Sequence, residues 1–440
     1  MAKLFDSRSL LVLGAVFLWG CPIDDAQMGS SSTSSSSSSS SSGEASSSSS
    51  STSGGGAGGH GGAGGMGGMV ASSSSGGGMG GVAGTGGMGG AGGMGGAGGG
   101  SSPPLVIFAT GTNGGSASSF VSGMGWSQPT AVVDAKSSGP PVFAIITGKG
   151  KGVAVWRSNV PGKVDRLKYA AWNGMSGFGS VDDVDPSVAA RATPAIAASS
   201  AIIHVAYLEP AGNDEYFYAQ YDGSWFNPAK EPIGTSIGKC SPALVSTNAT
   251  DVMMLNPGWD NDNDKLYDIT RTGMAWGTPN AHTFGVEKAT PAVVALDSAP
   301  TLLVVMTKVV DKSLQSVIYT GGAWNAQVVP IAGAVSMEPV LLALPKGEAL
   351  VVYRDDATTG LYWSRYAGGS WTGVAAVGMN AKALSRPALA PGAGDALAEL
   401  LFVDAAGQAF HARFQNGSFG TPVAIAGATN LVGIAAATNL

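Results

Sequence analysis

Only 12% of the 440 residues are charged, and the net charge is −6. With no basic surplus, neither nucleic acid nor an acidic membrane surface is an implied partner. There are two cysteines, Cys21 and Cys240. Should the first be modified, no disulfide could form within the folded region, and its stability would have to come from packing.

Lys3 and Arg8 precede an apolar run, Leu10 to Leu18, which ends at Leu18-Trp19-Gly20-Cys21. A charged start, a short apolar segment and a cysteine after a small residue resemble a bacterial lipoprotein signal. The run is too short to cross a bilayer. Residues 1–21 are therefore expected to be a signal peptide with lipidation at Cys21. Pro22, not an acidic residue, follows the cysteine, so the expected location is exported and lipid-anchored, at the outer membrane or cell surface.

Serine dominates from residue 29 to Ser53, and glycine with Ala and Met follows up to Gly100. Such a segment has almost no side chain to bury against the entropy of ordering it, so 22–103 reads as a disordered tether. About 75 residues of flexible coil have an end-to-end distance of roughly 45–50 Å. These glycines follow no strand and lead to no Gly-Lys-Ser/Thr, so they are no phosphate loop.

From residue 104 the chain carries a repeat. It is plainest in 347–387, where Val351, Tyr353, Leu361 and Trp363 alternate with polar or small neighbours, the period of half-buried strands. Asp355 to Gly360 makes a polar hairpin loop, and Gly368-Gly369 a second turn before Trp371. Pro387 opens a fourth strand. Four short antiparallel strands in about 48 residues make one blade of a β-propeller.

The aromatic after the second turn recurs at Trp126, Phe178, Trp225, Trp276, Trp324, Trp371 and Phe419, spaced by 52, 47, 51, 48, 47 and 48 residues. Pro141, Pro194, Pro242, Pro291, Pro339 and Pro387 open the next inner strand each time. Helical periodicity is absent. The expected fold is all-β, a seven-bladed β-propeller of four-stranded antiparallel blades over 104–440. The chain starts on a second strand, Leu105 to Phe108, so the missing inner strand must come from 431–439. Pairing the two ends closes the ring and removes an exposed edge. The marker aromatics are expected to pack between sheets.

The segments YDGSW (221–225), RTGMAW (271–276), YTGGAW (319–324), YAGGSW (366–371) and FQNGSF (414–419) resemble the repeats of lectin-type propellers, the fucose-specific lectins among them, and the Asp-box of sialidases. The Asp-box's leading Ser and its Thr before the aromatic are missing. In the fucose lectins an Arg on the second strand and a Glu one hairpin later recur between blades. Here only Arg157 and Arg354 hold the Arg position; their hairpin partners are Tyr169 and Trp363, and no matching Glu follows.

A sugar face stacks on an aromatic ring while a guanidinium donates to hydroxyls, so the expected ligand-binding residues are Arg354 with Trp363, Arg157 with Tyr169, and Tyr218. The alternative is that these residues are blade-edge and core residues. Glycoside hydrolysis needs two facing carboxylates or a Tyr nucleophile with an arginine cluster. The acidic residues instead fall mainly in turns, as at Asp182, Asp183 and Asp185. Trp259 to Asp264 has the alternating oxygens of a calcium loop but lacks its Gly and Glu, so a hairpin tip is expected. His204, His282 and His411 lie in different blades without metal-ligand spacing. No metal or cofactor is expected. The reading is a tethered, non-catalytic carbohydrate-binding propeller whose partner is a glycan or a cell-surface protein. The alternative is a protein-interaction scaffold of the same shape.

Overall fold

The computed structural model describes residues 104–438 apart from short segments at 138, 159–164, 175–176, 210–214, 227–229, 238–239, 260–261, 297–300 and 379. Cys21, the signal segment and the tether lie outside the described residues. So do Asp260 and Asn261 of the calcium-like loop.

The described chain is all-β, and seven antiparallel sheets make a seven-bladed propeller. Blade 6 shows the pattern. Val340–Leu344 is innermost, Glu348–Arg354 and Leu361–Ala367 follow, and Ser370–Trp371 begins the outer edge. The Gly368-Gly369 turn has φ of 59° and 84°, a conformation open mainly to glycine, which suits a tight hairpin. In five sheets the fourth strand is two pieces that both pair with the third, as with Ser370–Trp371 and Ala375–Ala376 in blade 6.

The ring closes as the repeat count requires. Gly433–Thr438 pairs antiparallel with Leu105–Thr110 over six positions, from Thr110↔Gly433 to Leu105↔Thr438. Blade 1 is thus built from both ends of the propeller, and its outer strands are Gly115–Val121, Gly125–Trp126 and Thr130–Val132. Where the first strands of blades 1 and 2 come together, a Cβ on Gly433 would lie 2.3 Å from Pro140 Cα, so this close approach excludes a side chain.

Each marker proline comes one residue before its inner strand, as Pro339 precedes Val340 and Pro387 precedes Ala388. At that place proline sacrifices no ladder hydrogen bond. The core lies between neighbouring sheets, with clusters that run from one blade to the next. Val142, Val153 and Val155 of blade 2, for example, pack with Ile196, Ile203 and Tyr207 of blade 3. Cys240 is buried just before Ala243–Ser246, and its Sγ faces the Pro257 carbonyl at 3.8 Å.

Candidate functional site

The expected site residues occupy two positions that recur around the ring. The first lies on the third strand, three residues before the one paired with the marker aromatic. It is held in chain order by Ala117, Tyr169, Tyr218, Asp268, Ser316, Trp363 and His411. From Tyr169 onward, each meets the marker of the following blade. Tyr169 faces Trp225 edge-on at 5.3 Å, Tyr218 faces Trp276 at 5.3 Å, and Trp363 faces Phe419 at 6.0 Å. Trp324 Nε1 donates to Asp268 Oδ1 at 2.8 Å, Trp371 Nε1 to Ser316 Oγ at 2.8 Å and Trp126 Nε1 to His411 Nδ1 at 3.3 Å.

All three aromatics expected to stack a sugar are therefore seams between blades. Trp363 is closed in further by Phe414 at 5.1 Å. Tyr218 is buried, bonds His204 through its hydroxyl and carries the Arg271 guanidinium over its ring at 4.8 Å.

The second position ends the second strand and holds Thr110, Arg157, Thr307 and Arg354 among its seven occupants. Each of these four pins the connection leading to the next blade. Thr110 Oγ1 donates to Gly139 O at 3.1 Å, Arg157 Nη1 to Arg191 O at 2.6 Å, Thr307 Oγ1 to Ser336 O at 2.6 Å and Arg354 Nε to Ala383 O at 3.0 Å. Arg354 and Trp363 do share one face of blade 6 as diagonal neighbours, because Val352 pairs with Trp363 and Arg354 with Leu361. The structure does not bring the five residues together in one cleft. Arg157 with Tyr169, Tyr218, and Arg354 with Trp363 belong to three separate blades.

A recess does exist at the mouth of the central channel, where the inner strands begin. Its volume is ≈ 460 Å³, open mouth included, and its lining includes Pro140, Pro141, Phe143, Ile196, Ile434 and Arg386. It is apolar but for Thr193 and the Arg386 guanidinium. Arg386 Nη2 donates to Pro339 O at 3.0 Å, while its buried Nε has no hydrogen-bond partner. A buried donor left unpaired is costly, so a ligand or water atom is expected opposite it. Burial pulls the guanidinium below its ordinary pKa, and the charge of Glu338 pushes it back up.

Glu338 precedes Pro339 as Arg386 precedes Pro387. The residue before each of the other four marker prolines that follow blades 1 to 4 is Pro140, Thr193, Ser241 or Thr290. Only these two are charged. Asp356, on the loop after Arg354, joins them by accepting from the Met337 backbone N–H beside Glu338. Burial raises the Asp356 carboxyl above its usual range and Glu338 adds to the rise, while Arg354 opposes it from 3.5 Å. Arg354, Asp356, Glu338 and Arg386 are thus coupled electrostatically, and of the four Arg386 lines the recess. Sequence reasoning missed Glu338 and Arg386. The available signal was a charged residue directly before a marker proline.

No family model matches the chain, and no curated protein matches it in sequence. The solved structures it resembles include a Bacteroides uniformis protein provisionally described as a 6-phosphogluconolactonase, 11% identical, covering 76% of this chain and 99% of that one with a TM-score of 0.51. The fucose-specific lectin of Aleuria aurantia is 12% identical, with 64% and 95% covered and a TM-score of 0.40. A Hadza microbial sialidase is 12% identical, with 66% and 71% covered and a TM-score of 0.37. Lectin and sialidase propellers are thus among the folds this chain resembles. At such identities the likeness is one of fold alone.

Proposed function

We propose that the propeller is a non-catalytic carbohydrate-binding domain, displayed on a lipid-anchored tether, and that its ligand sits at the channel mouth beside Arg386. The observation that carries this reading is the buried, unpaired Arg386 Nε in an apolar recess of ≈ 460 Å³. An apolar wall with few polar groups is the usual make-up of a small-molecule site. The Pro140 surface suits the C–H face of a sugar ring, and the guanidinium suits its oxygens.

The non-catalytic part rests on the lining of the recess: glycoside cleavage needs two carboxylates flanking the bond, and no acidic residue is among those that line it.

The test is a glycan array probed with the full chain and with Arg386→Ala. Losing a charge-assisted hydrogen bond costs about 1.5–3 kcal/mol, so the variant should bind roughly ten- to a hundredfold more weakly. Equal affinity would remove Arg386 from the site. An array with no signal would favour a protein-interaction scaffold instead.

A further inference from the structure

Arg386 and Thr193 are the polar residues in the lining of the recess, and each precedes a marker proline, Pro387 in blade 7 and Pro194 in blade 3. A guanidinium carries five N–H groups. One of them, on Arg386 Nη2, donates to Pro339 O at 3.0 Å. Nε is buried without a partner, and Arg386 meets no other acceptor among the described residues. The Thr193 hydroxyl has no partner among them either. Glu338, whose charge acts on Arg386, is not part of the lining. The side chains of the recess therefore offer donors in surplus and, apart from the Thr193 oxygen, no acceptor.

We infer that the recess takes a sugar bearing a carboxylate, a uronic acid, with the carboxylate on Arg386. The inference rests on the carbohydrate-binding reading above. An ionised carboxylate is acceptor-only, whereas every hydroxyl of a neutral sugar also brings a proton that needs an acceptor. A carboxylate takes two parallel N–H groups from one edge of a guanidinium, and a single hydroxyl oxygen cannot. With an apolar wall around it, such a pair is screened little, and the anion offsets the cost of holding the guanidinium there. The Thr193 oxygen is then the side-chain acceptor left for a ring hydroxyl.

The deciding experiment is titration calorimetry of the full chain with the methyl uronides of glucose, galactose and mannose. Each is compared with its carboxamide and its parent glycoside, which differ from it only at C6, and acetate serves as a carboxylate without a ring. The uronide that binds best should do so about tenfold more tightly than its amide or parent glycoside, because hydrogen bonds to a charged group are roughly twice as strong. This ratio is read on the wild type alone, so it needs no variant to fold. Arg386→Ala should weaken the uronide roughly ten- to a hundredfold and erase the preference. Arg386→Lys keeps the charge without the fork and should lose most of it. Equal affinity for a uronide and its amide, with both lost on Arg386→Ala, would keep the carbohydrate reading and overturn the carboxylate. A preference that survives Arg386→Ala would overturn it too. Acetate bound as tightly as the best uronide would overturn the sugar reading and leave a bare carboxylate site. No binding to any probe would overturn both.

Discussion

Glu399 should be the most sensitive single residue at the seam between blade 7 and the closing blade. It is fully buried, and its Oε1 accepts from Ala393 N at 2.9 Å and from Arg413 Nε at 3.2 Å. His411 Nε2 donates to Oε2 at 2.7 Å, and His411 Nδ1 accepts from Trp126 of blade 1. The imidazole is thus fixed as one tautomer by partners on both sides. Glu399→Leu strands three donors, at about 1–3 kcal/mol for each buried orphan, and removal of one member of a buried charged pair costs about 3–5 kcal/mol in all. For a propeller of this size that corresponds to a fall in Tm of roughly 5–10 °C.

Glu399→Gln is the sharper probe. Its amide N–H₂ faces His411 Nε2–H, and moving that proton to Nδ1 turns it against the Trp126 indole N–H. One donor must face another in either case. The Gln variant should therefore lose about 1–3 kcal/mol, and less in a Trp126→Phe background, where Nδ1 is free to carry the proton. Differential scanning calorimetry of the four proteins gives the coupling. A Gln variant with the wild-type Tm, or strictly additive effects, would refute the network.

Three further outcomes are expected. Deleting residues 429–440 removes the six-residue pairing with Leu105–Thr110 and buries nothing in its place, so the domain should lose its cooperative melt; an unchanged Tm in calorimetry would contradict the closure. His204 is fully buried, and burial lowers its pKa from 6.5 to about 3, with Arg271 acting the same way. The unfolded chain therefore binds this proton more readily. Its contribution is complete above about pH 6.5 and drains away as pH falls towards 3, by up to about 1.4 kcal/mol per pH unit. His204→Gln should flatten the melting-temperature profile between pH 6.5 and 4, and an equally steep profile would exclude His204 as the cause. Cys21→Ser should release the protein from the membrane fraction or leave the precursor unprocessed, whereas mature protein still held in the detergent phase would rule out lipidation there.

The architecture was legible because it is written seven times. Trp126 to Phe419 keep one spacing and the prolines keep it independently, so the blade count needed no contact information. Closure was legible because a ring of whole blades leaves one strand to find, and 431–439 was the stretch left over. The seam contacts of the aromatic and arginine pairs were hidden for the same reason that the repeat was clear. Within a blade, Tyr218 and Trp363 stand beside polar neighbours and look available. Their partners, Trp276 and Phe419, lie more than fifty residues away on the next sheet. Arg354 likewise spends its Nε on a carbonyl 29 residues on. A partner at that distance leaves no mark in the local pattern.

In a propeller every position is copied around the ring, and most copies serve the ring. A side chain that recurs in type, such as the marker tryptophan or the residue pinning the connection, is explained by packing that every blade requires. Function is better sought where one copy departs and the departure costs something. Asp268, Ser316 and His411 depart from the aromatic type, yet each is answered by a tryptophan N–H from the following blade. Arg386 departs at the residue before the proline, and there its buried Nε is answered by no other residue described. Burying a guanidinium N–H without a partner is unfavourable in the empty protein and favourable only when something fills the space opposite. That asymmetry is why the recess beside Arg386 is the first place to seek a ligand.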